Sequence, residues 1–213
     1  KSMQVSIIMP VLNEEEALER ILPKFREVFA NTSISYEIIV CDNGSIDRSA
    51  QICNSYGVKV VTEARKGYGY ALKRALIEAQ GSVVVTLDAD GTYPVEKIPV
   101  MYEHLVSHNL DLLVGNRFQK KYIFLGTMPL INRLGNMFLS IIVRILFAVQ
   151  LVDSQSGMVA FRNQFPGIAE DTTYNTFDYC QSLKLKLISK YKAKYAELEI
   201  PYARRIGAKK LNI

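Results

Sequence analysis

The feature that most constrains this chain is a run of β-forming residues that ends in two aspartates, Val83–Pro94, with the sequence VVVTLDADGTYP. Such an apolar run is typical of a strand buried on both faces of a parallel sheet, and ligands of open α/β sheets bind beyond the carboxyl ends of such strands. In an extended segment, residues i and i+2 point the same way, so Asp88 and Asp90 can approach one hard cation, which prefers oxygen ligands. The motif alone is equally compatible with a strand end carrying two solvated acids.

The first half of the chain alternates strand-like and helix-like patterns, which predicts a mostly parallel sheet with right-handed crossovers and flanking helices. Asn13 is the expected N-cap of the first helix, and Pro23 is expected to kink or break it. The predicted strands are Val5–Val11, Tyr36–Cys41, Val58–Val61, Val83–Leu87 and Asp111–Val114, and the predicted helices are Glu14–Ala30, Arg48–Tyr56, Tyr68–Ala79 and Val95–His108.

The pattern changes in the second half, where Tyr122–Val152 is rich in Ile, Leu, Phe and Met. Leu134–Val152 has about the length of a membrane span. Because Arg144 would be costly inside a bilayer, the region predicts amphipathic helices that lie on a membrane surface or pack on the domain. An ordinary buried helix pair is the alternative. Further predicted elements are a strand at Ser156–Phe161, a lysine-rich helix at Phe177–Lys190 and an edge strand at Glu197–Tyr202, which carries Pro201.

Composition limits the classes of protein to consider. A chain of 213 residues and 24.1 kDa is expected to form one large domain. Its cysteines (Cys41, Cys53 and Cys180) lack the spacing of a zinc site or a disulfide framework and suit a reducing compartment. Lys1–Pro10 has no signal-peptide pattern. The net charge of +5 indicates an anionic partner, but no RNA-binding motif or aromatic stacking series accompanies the lysines, so nucleic acid is not expected.

Four segments are expected to meet at the carboxyl edge of the sheet: Pro10–Glu14, Asp42–Asp47, Arg65–Gly69 and Asp88–Thr92. Together they supply acids for a metal and for a base or sugar edge, and cations for phosphates. A dinucleotide-dependent dehydrogenase would need GxGxxG after the first strand, where this chain has Pro-Val-Leu-Asn-Glu.

Seven sequence blocks follow one another along the chain: MPVLNEEEAL (Met9–Leu18), VCDNGSIDRS (Val40–Ser49), RKGYGYALKRAL (Arg65–Leu76), TLDADGTYP (Thr86–Pro94), GNRF (Gly115–Phe118), SQSGMVAFR (Ser154–Arg162) and IPYARRIGAKKL (Ile200–Leu211). With these blocks, nearly the whole chain resembles the inverting family-two glycosyltransferases of the GT-A fold, and among them the polyprenyl-phosphate (dolichyl-phosphate) mannosyl- and glucosyltransferases. The resemblance implies an α/β, Rossmann-like GT-A domain over residues 1–213, with an apolar helical region before the last strands. Residues 1–118 would bind the nucleotide sugar, and residues 119–213 would face the acceptor and the membrane.

The resemblance also implies roles for individual residues on the donor side. Asp42 would hold the nucleobase, Asp88 would lie near the ribose and the metal, and Asp90 would ligate Mg²⁺ or Mn²⁺ bound to the diphosphate. Arg204 or Arg205 would belong to a mobile segment that closes on that diphosphate. The full set implied for nucleotide-sugar binding is Pro10, Asn13, Glu14, Asp42, Lys66, Asp88, Ala89, Asp90, Arg204 and Arg205, with Arg65 flanking the pocket.

On the acceptor side, Arg117 and Arg133 match the arginines that hold the acceptor's phosphate, and with Asp90 they would form the catalytic set. Guanidinium groups suit phosphate oxygens because they present a planar fork of donors. A lipid monophosphate is already anionic, so its attack on the sugar needs positioning more than a strong base. If the acceptor were a sugar hydroxyl, Asp178 or Asp153 could act as the base.

The resemblance therefore implies metal-dependent transfer of a hexose, with inversion, from a UDP- or GDP-sugar to a polyprenyl (dolichyl) phosphate on the cytoplasmic side of a membrane. Two alternatives stay open: the same fold acting on a hydroxyl of a glycan or glycolipid, and a non-catalytic nucleotide-binding or membrane-associated protein. Asn43 replaces the second Asp of the family's Asp-Asp-Gly-Ser block, and Thr92 falls where some relatives place a third metal ligand. Metal binding is therefore expected to depend heavily on the donor. Many relatives continue into membrane helices after the last block, so both a peripheral protein and one truncated before its membrane segments remain open.

Overall fold

The computed structural model of the protein describes residues 2–118, 128–169 and 178–207. These residues contain one seven-stranded sheet in the order β3-β2-β1-β4-β6-β5-β7. Its strands are β1 (Val5–Val11), β2 (Tyr36–Asp42), β3 (Lys59–Thr62), β4 (Val83–Thr86), β5 (Leu112–Asn116), β6 (Val159–Arg162) and β7 (Tyr195–Glu199).

Most neighbouring strands of the sheet are parallel. β6 is the exception among the described strands and runs antiparallel to both β4 and β5. β7 pairs with β5 and lies at the edge of the sheet, as predicted, although it begins earlier than expected and Pro201 lies beyond its end. The prediction of an α/β fold with a mostly parallel sheet is confirmed.

Helices cover both faces of the sheet: α1 (Glu15–Ala30), α2 (Ser49–Ser55), α3 (Tyr68–Ile77), α4 (Ile98–Ser107), α5 (Leu130–Phe147) and α6 (Tyr179–Ser189). A single 3₁₀ turn, Val95–Lys97, precedes α4. The strands explain this layering, because alternate residues of β1 enter different cores. Ile7 and Met9 pack with residues of α1 and α4, whereas Ile8 packs with residues of α3 and α6. A strand buried on both faces reads as a continuous apolar run.

The first helix, α1, differs from the prediction at Pro23 and at its N-terminus. α1 continues through Pro23, so the predicted break does not occur, since burying six side chains of this helix outweighs the one hydrogen bond that proline removes. Asn13 is not the N-cap, which is Glu14 without a side-chain cap. The amides at the start of the helix are instead satisfied by side chains just before and at the start of α2. Glu14 N–H donates to Ser49 Oγ at 2.8 Å, and Glu15 N–H donates to Asp47 Oδ2 at 3.1 Å.

The apolar region of the second half contains α5, a helix long and apolar enough to cross a membrane by length and composition. Within α5, Ser140 and Val143 are the buried residues. Most of its other residues are exposed apolar side chains, namely Leu130, Ile131, Leu134, Met137, Phe138, Leu139, Ile141, Ile145, Leu146 and Phe147. Asn132 and Arg144 are exposed among them. The alternative of an ordinary buried helix pair is therefore wrong for the described part of this region. Residues 122–127 of the apolar region and Phe177 of the predicted lysine-rich helix lie outside the described residues.

Candidate active site

The first two predicted segments meet at the carboxyl ends of β1 and β2. Asn13 N–H donates to Ser45 Oγ at 2.9 Å, and Asn13 Oδ1 accepts from Ile46 N–H at 2.7 Å. Asp42 Oδ1 accepts from Ser45 N–H at 3.0 Å. Asn13 has φ of 51°, a left-handed conformation that asparagine tolerates better than most residues. The side chains of Asn13 and Asp42 therefore shape the loop itself, beside the half-buried Pro10 of β1.

Asn43 ties the third segment to the same edge. Its Nδ2 donates to Glu63 O at 2.9 Å and to Arg65 O at 2.8 Å, while its Oδ1 accepts from Gly67 N–H at 2.8 Å. The exposed Lys66 donates from Nζ to Asn43 O at 3.0 Å. Asn43 is 6% exposed, so these bonds satisfy a buried amide. A carboxylate could not donate the first two bonds, which explains why an asparagine suits this position.

Asp88 follows the end of β4 and is contacted from two other elements. Tyr68, the first residue of α3, donates from its hydroxyl to Asp88 Oδ1 at 2.6 Å. The Tyr68 hydroxyl also lies 3.7 Å from Cys180 Sγ of α6. Burial and the neighbouring charge of Asp90 raise the pKa of Asp88 to about 6. The next residue, Ala89, is buried in the core.

Asp90 has partners on both of its oxygens. Oδ1 accepts from Thr92 N–H at 3.0 Å and from the Thr92 hydroxyl at 2.6 Å, so Thr92 orients the carboxylate. Oδ2 accepts from Arg205 Nη1 at 2.8 Å, and Arg205 Nη2 pairs with the Glu14 carboxylate. Arg205 thus joins the first block of the chain, the aspartate pair and the C-terminal segment.

The C-terminal segment is held next to the aspartate pair by its backbone as well. Ala203 N–H donates to Thr92 O at 2.8 Å, and Ile206 N–H donates to Asp90 O at 2.9 Å. Arg204, between them, is exposed. The segment therefore lies along residues 90–92 with one arginine turned toward the acids.

Arg117 is buried and paired with a carboxylate. It is 9% exposed and forms a two-pronged ion pair with Asp153, with Nε donating to Oδ2 at 2.7 Å and Nη2 donating to Oδ1 at 2.8 Å. Its Nη1 points to the Tyr93 hydroxyl at 3.4 Å. Asp153 is fully buried, and Glu197 holds it in place by accepting from the Asp153 N–H at 2.8 Å. Both oxygens of Asp153 therefore serve Arg117, which leaves this aspartate unsuited to act as a base.

Arg133, on α5, lies near Arg117 through a shared aromatic ring. The guanidinium carbons of Arg117 and Arg133 are each 5.9 Å from the centre of the Phe118 ring. Arg133 Nη2 also donates to Phe118 O at 3.0 Å. The two arginines predicted to hold an acceptor phosphate are therefore brought together where the sheet meets the exposed apolar helix.

A buried lysine lies near enough to the ion pair of Arg117 and Asp153 to interact with both charges. Lys184 of α6 is fully buried and donates from Nζ to Ser156 O at 2.5 Å. Burial lowers the pKa of Lys184 to about 8. Asp178, the other predicted base, is the residue before α6 and borders residues that the structure does not describe.

The aspartate pair has the chemistry of a divalent-cation site. Asp88 and Asp90 offer carboxylate oxygens from one strand end, and a cationic group, the Arg205 guanidinium, already pairs with Asp90. Within residues 2–118, 128–169 and 178–207, no group of three or more His, Cys, Asp or Glu could hold a metal alone. The side chains therefore fit a Mg²⁺ or Mn²⁺ ion whose remaining ligands come from a bound donor.

The sequence model of the family "Glycosyl transferase family 2" matches residues 6–165. The chain belongs to this family. A dolichyl-phosphate hexose transferase of Haloferax volcanii is 31% identical to this glycosyltransferase over 208 residues, which cover 98% of this chain and 86% of the relative. A dolichol-phosphate mannosyltransferase of Pyrococcus furiosus is 36% identical over 123 residues, which cover 55% of this chain and 34% of the relative.

Solved structures agree on the fold of this glycosyltransferase. Glucosyl-3-phosphoglycerate synthase of Mycobacterium tuberculosis, in complex with Mg²⁺ and UDP, superposes with a TM-score of 0.74 at 18% identity, covering 98% of this chain and 73% of that chain. The same enzyme with Mn²⁺, UDP-glucose and phosphoglyceric acid gives a TM-score of 0.71 at 17% identity. The predicted family, fold and enzyme class are thereby confirmed.

Sequence reasoning missed several residues that shape this site. Tyr68, Tyr93 and Glu197 were not singled out, although each contacts a predicted site residue or its neighbour. Lys184 carried a detectable signal, since it lies among Cys180, Leu183 and Leu187 on the buried stripe of α6. Tyr68 and Tyr93 carried none, because their partners are distant in the sequence.

Proposed function

We propose that this glycosyltransferase transfers a hexose from a UDP- or GDP-hexose to a polyprenyl (dolichyl) phosphate, with inversion at the anomeric carbon and with Mg²⁺ or Mn²⁺ as cofactor. One observation carries the proposal: Arg117 and Arg133 flank Phe118 at the start of an exposed apolar helix. The two arginines would bind an anionic headgroup, and the apolar helix would contact a hydrocarbon tail. The names of the Haloferax and Pyrococcus relatives support the same acceptor class.

On the donor side, we assign nucleotide-sugar binding to residues 1–118 with the C-terminal segment. Asp42 would hold the nucleobase, and Pro10, Asn13 and Lys66 would border it. Asp88 and Asp90 would hold the divalent cation, which supplies Lewis-acid stabilisation of the departing diphosphate. Arg205, together with the neighbouring Arg204, would move from the acids to the donor phosphates, since a guanidinium fork binds phosphate oxygens well. Glu14 and Ala89 complete the donor set.

On the acceptor side, residues 119–213 and Arg117 would position the lipid phosphate. A phosphate monoester oxygen attacks the anomeric carbon as the bond between that carbon and the donor diphosphate breaks, so the configuration inverts. The nucleophile is ionised near neutral pH, so no side chain has to remove a proton. Asp153 keeps the Arg117 guanidinium in one orientation through both of its oxygens, at 2.7 and 2.8 Å. Positioning of this kind can supply much of the rate enhancement.

We assign the exposed face of α5 to a bilayer surface. Ile131 is 75% exposed and Ile145 is 76% exposed, whereas Ser140 of the opposite face is buried against Ser154. A helix that turns so many apolar residues outward has the pattern of a helix lying on a bilayer surface and not of one facing water. The free cysteines support the cytoplasmic side, since disulfides are rare in reducing compartments. Ile131→Glu/Ile145→Glu should abolish flotation with anionic vesicles, and unchanged flotation would contradict this assignment.

The activity itself is tested by following transfer of radiolabelled hexose from UDP- and GDP-sugars into an organic phase containing polyprenyl phosphate, with and without chelator. Transfer that chelator stops is expected. Arg117→Ala and Arg133→Ala should each lower it about 100-fold or more, because each removes a charge-assisted contact to the acceptor. Asp178→Asn should lower it only a few-fold, by the reasoning that no base is needed. No transfer from any common UDP- or GDP-hexose would overturn the proposal.

A sugar-hydroxyl acceptor is the second candidate, and the place of Asp178 favours it. Asp178 precedes α6, and Cys180, two residues later, lies 3.7 Å from the tyrosine hydroxyl that contacts Asp88. A carboxylate entering the site there could remove a proton from a hydroxyl. Under this candidate, Asp178→Asn abolishes turnover on glycan or glycolipid acceptors, and the two arginine variants retain most of it.

A further inference from the structure

We propose that Tyr68 is a positioning residue for Asp88, holding one carboxylate oxygen so that the other is presented to a metal-bound nucleotide. This inference rests on the proposed function, because it assumes that Asp88 contacts the cation or the donor. It assigns to α3 a part in donor binding through a side chain whose hydroxyl donates to Asp88 and also lies 3.7 Å from Cys180 Sγ.

The hydrogen bond between Tyr68 and Asp88 is short, and the tyrosine is its donor. The Tyr68 hydroxyl lies 2.6 Å from Asp88 Oδ1, and a carboxylate can only accept, so the tyrosine donates. Among the described residues, no hydrogen bond is donated to Asp88 Oδ2, so this second oxygen keeps its capacity for a cation or a hydroxyl. The two oxygens of Asp88 therefore have different surroundings, which is what presenting one of them requires.

Tyr68 itself is held at a fixed place. It is the first residue of α3, directly after Gly67, whose N–H donates to the buried Asn43 side chain at 2.8 Å. Gly67 has φ of 144°, within the range that favours glycine. The turn at Gly67, which directs Tyr68 toward Asp88, is thus hydrogen-bonded to the end of β2. The position of Tyr68 therefore does not depend on Asp88.

A glycine packs beside Asp88 and Tyr68. A Cβ added at Gly157 would lie 3.3 Å from Asp88 Oδ2, 3.3 Å from the Tyr93 hydroxyl and 3.5 Å from the Tyr68 hydroxyl, so a side chain there would crowd the carboxylate and its donor. The Gly157 backbone is fixed, since its N–H donates to the Tyr93 hydroxyl at 2.7 Å and its carbonyl accepts from Thr86 Oγ1 at 2.5 Å. Asp88 is therefore contacted by a hydrogen-bond donor on α3 and lies beside the fixed backbone that precedes β6.

The charges of Asp88 and Asp90 explain why a hydrogen bond from Tyr68 to Asp88 is needed. Asp88 and Asp90 repel each other, yet a shared cation needs both carboxylates turned toward it. A hydrogen bond to one oxygen restrains the rotation of Asp88 away from Asp90. Without the hydroxyl, the carboxylate loses this restraint, and binding must restrict its rotation at an entropic cost.

The experiment measures how much Mn²⁺ strengthens nucleotide binding. Calorimetry gives the dissociation constants of UDP and GDP in EDTA and in Mn²⁺, and the ratio of the two constants is the metal effect. Tyr68→Phe is expected to lower this ratio about tenfold, the size of one hydrogen bond to a charged group, and to leave the EDTA constant unchanged. Tyr191→Phe is the matched control, because Tyr191 donates to Pro166 O at 2.8 Å outside this site.

Further outcomes support or overturn the inference. Asp88→Asn should lose the metal effect, and adding Tyr68→Phe to it should cause no further loss, because Tyr68 acts through Asp88. A wild-type ratio in Tyr68→Phe, or an equal weakening in EDTA and Mn²⁺, would overturn the inference. Wild-type protein that binds neither nucleotide with Mn²⁺ would overturn the proposed donor as well, so the two failures are distinguishable.

Discussion

Asn43→Asp is the substitution that tests the construction of the site most sharply. It changes one NH₂ group to an oxygen and preserves the shape of the side chain. In the native protein this group donates to Glu63 O at 2.9 Å and to Arg65 O at 2.8 Å. In the variant, both carbonyl oxygens lose their donor and face a carboxylate oxygen. The bond accepted from Gly67 N–H remains.

The magnitude follows from burial, since Asn43 is 6% exposed. A buried acceptor left without its donor costs about 1–3 kcal/mol, so two of them cost about 2–6 kcal/mol. A charge-assisted bond from Gly67 and the nearby Lys66 ammonium offset part of this, which leaves an expected loss of about 2–4 kcal/mol. That loss is a large share of the stability of a typical domain, about 5–15 kcal/mol.

Urea unfolding measures the change, and Asn163→Asp is its control. Asn163 also donates from Nδ2 to two carbonyl oxygens, Ala79 O and Gly81 O, each at 3.2 Å, but it is exposed, so water can replace those bonds. Its variant should lose less than about 1 kcal/mol. The deficit of Asn43→Asp relative to wild type should shrink in acid, because a protonated carboxyl regains one donor. Equal losses in the two variants, with no recovery in acid, would refute the reasoning.

Three other perturbations follow from buried contacts. Burial lowers the pKa of Lys184 from 10.5 to about 8, so the unfolded chain binds this proton more tightly than the folded chain does. The free energy of unfolding should therefore rise by about 2 kcal/mol between about pH 7.5 and about pH 10. Lys184→Met should lack this rise in urea titrations, and an equal rise in the variant would contradict the assignment to Lys184. Gly81→Ala should destabilise the fold by about 2 kcal/mol or more, because the added Cβ would lie 2.5 Å from Ser6 N. Gly135→Ala on α5 is the control: its Cβ would have no atom within 4 Å, so the variant should be neutral or more stable by about 0.5–1 kcal/mol. Thermal unfolding compares the two variants, and the reverse order of stability would contradict the packing. Asp153→Asn should cost about 3–5 kcal/mol in urea unfolding, since it leaves the Arg117 charge buried without its partner, and a loss below about 1 kcal/mol would mean that the ion pair is not buried in solution.

Much of the site could be anticipated because its parts lie at strand ends. The apolar runs of β1, β2 and β4 predict buried parallel strands, and the polar residues that follow them must meet at one edge. Asp42, Asp88 and Asp90 were found in this way. The exposure of α5 was only half anticipated, since an apolar helix pattern is the same whether the helix is buried or outward-facing.

What the sequence by itself determined is the alternation of elements, the position of the carboxyl edge and the acids and arginines that gather there, because these depend on local periodicity and chain order. Only the tertiary structure decided which of them pair. Arg117 faces Asp153, Arg205 faces Asp90 and Tyr68 faces Asp88, at sequence separations of 36, 115 and 20 residues. No local pattern encodes such partners, since a buried charge or hydroxyl accepts any complementary group that the fold brings within about 3 Å.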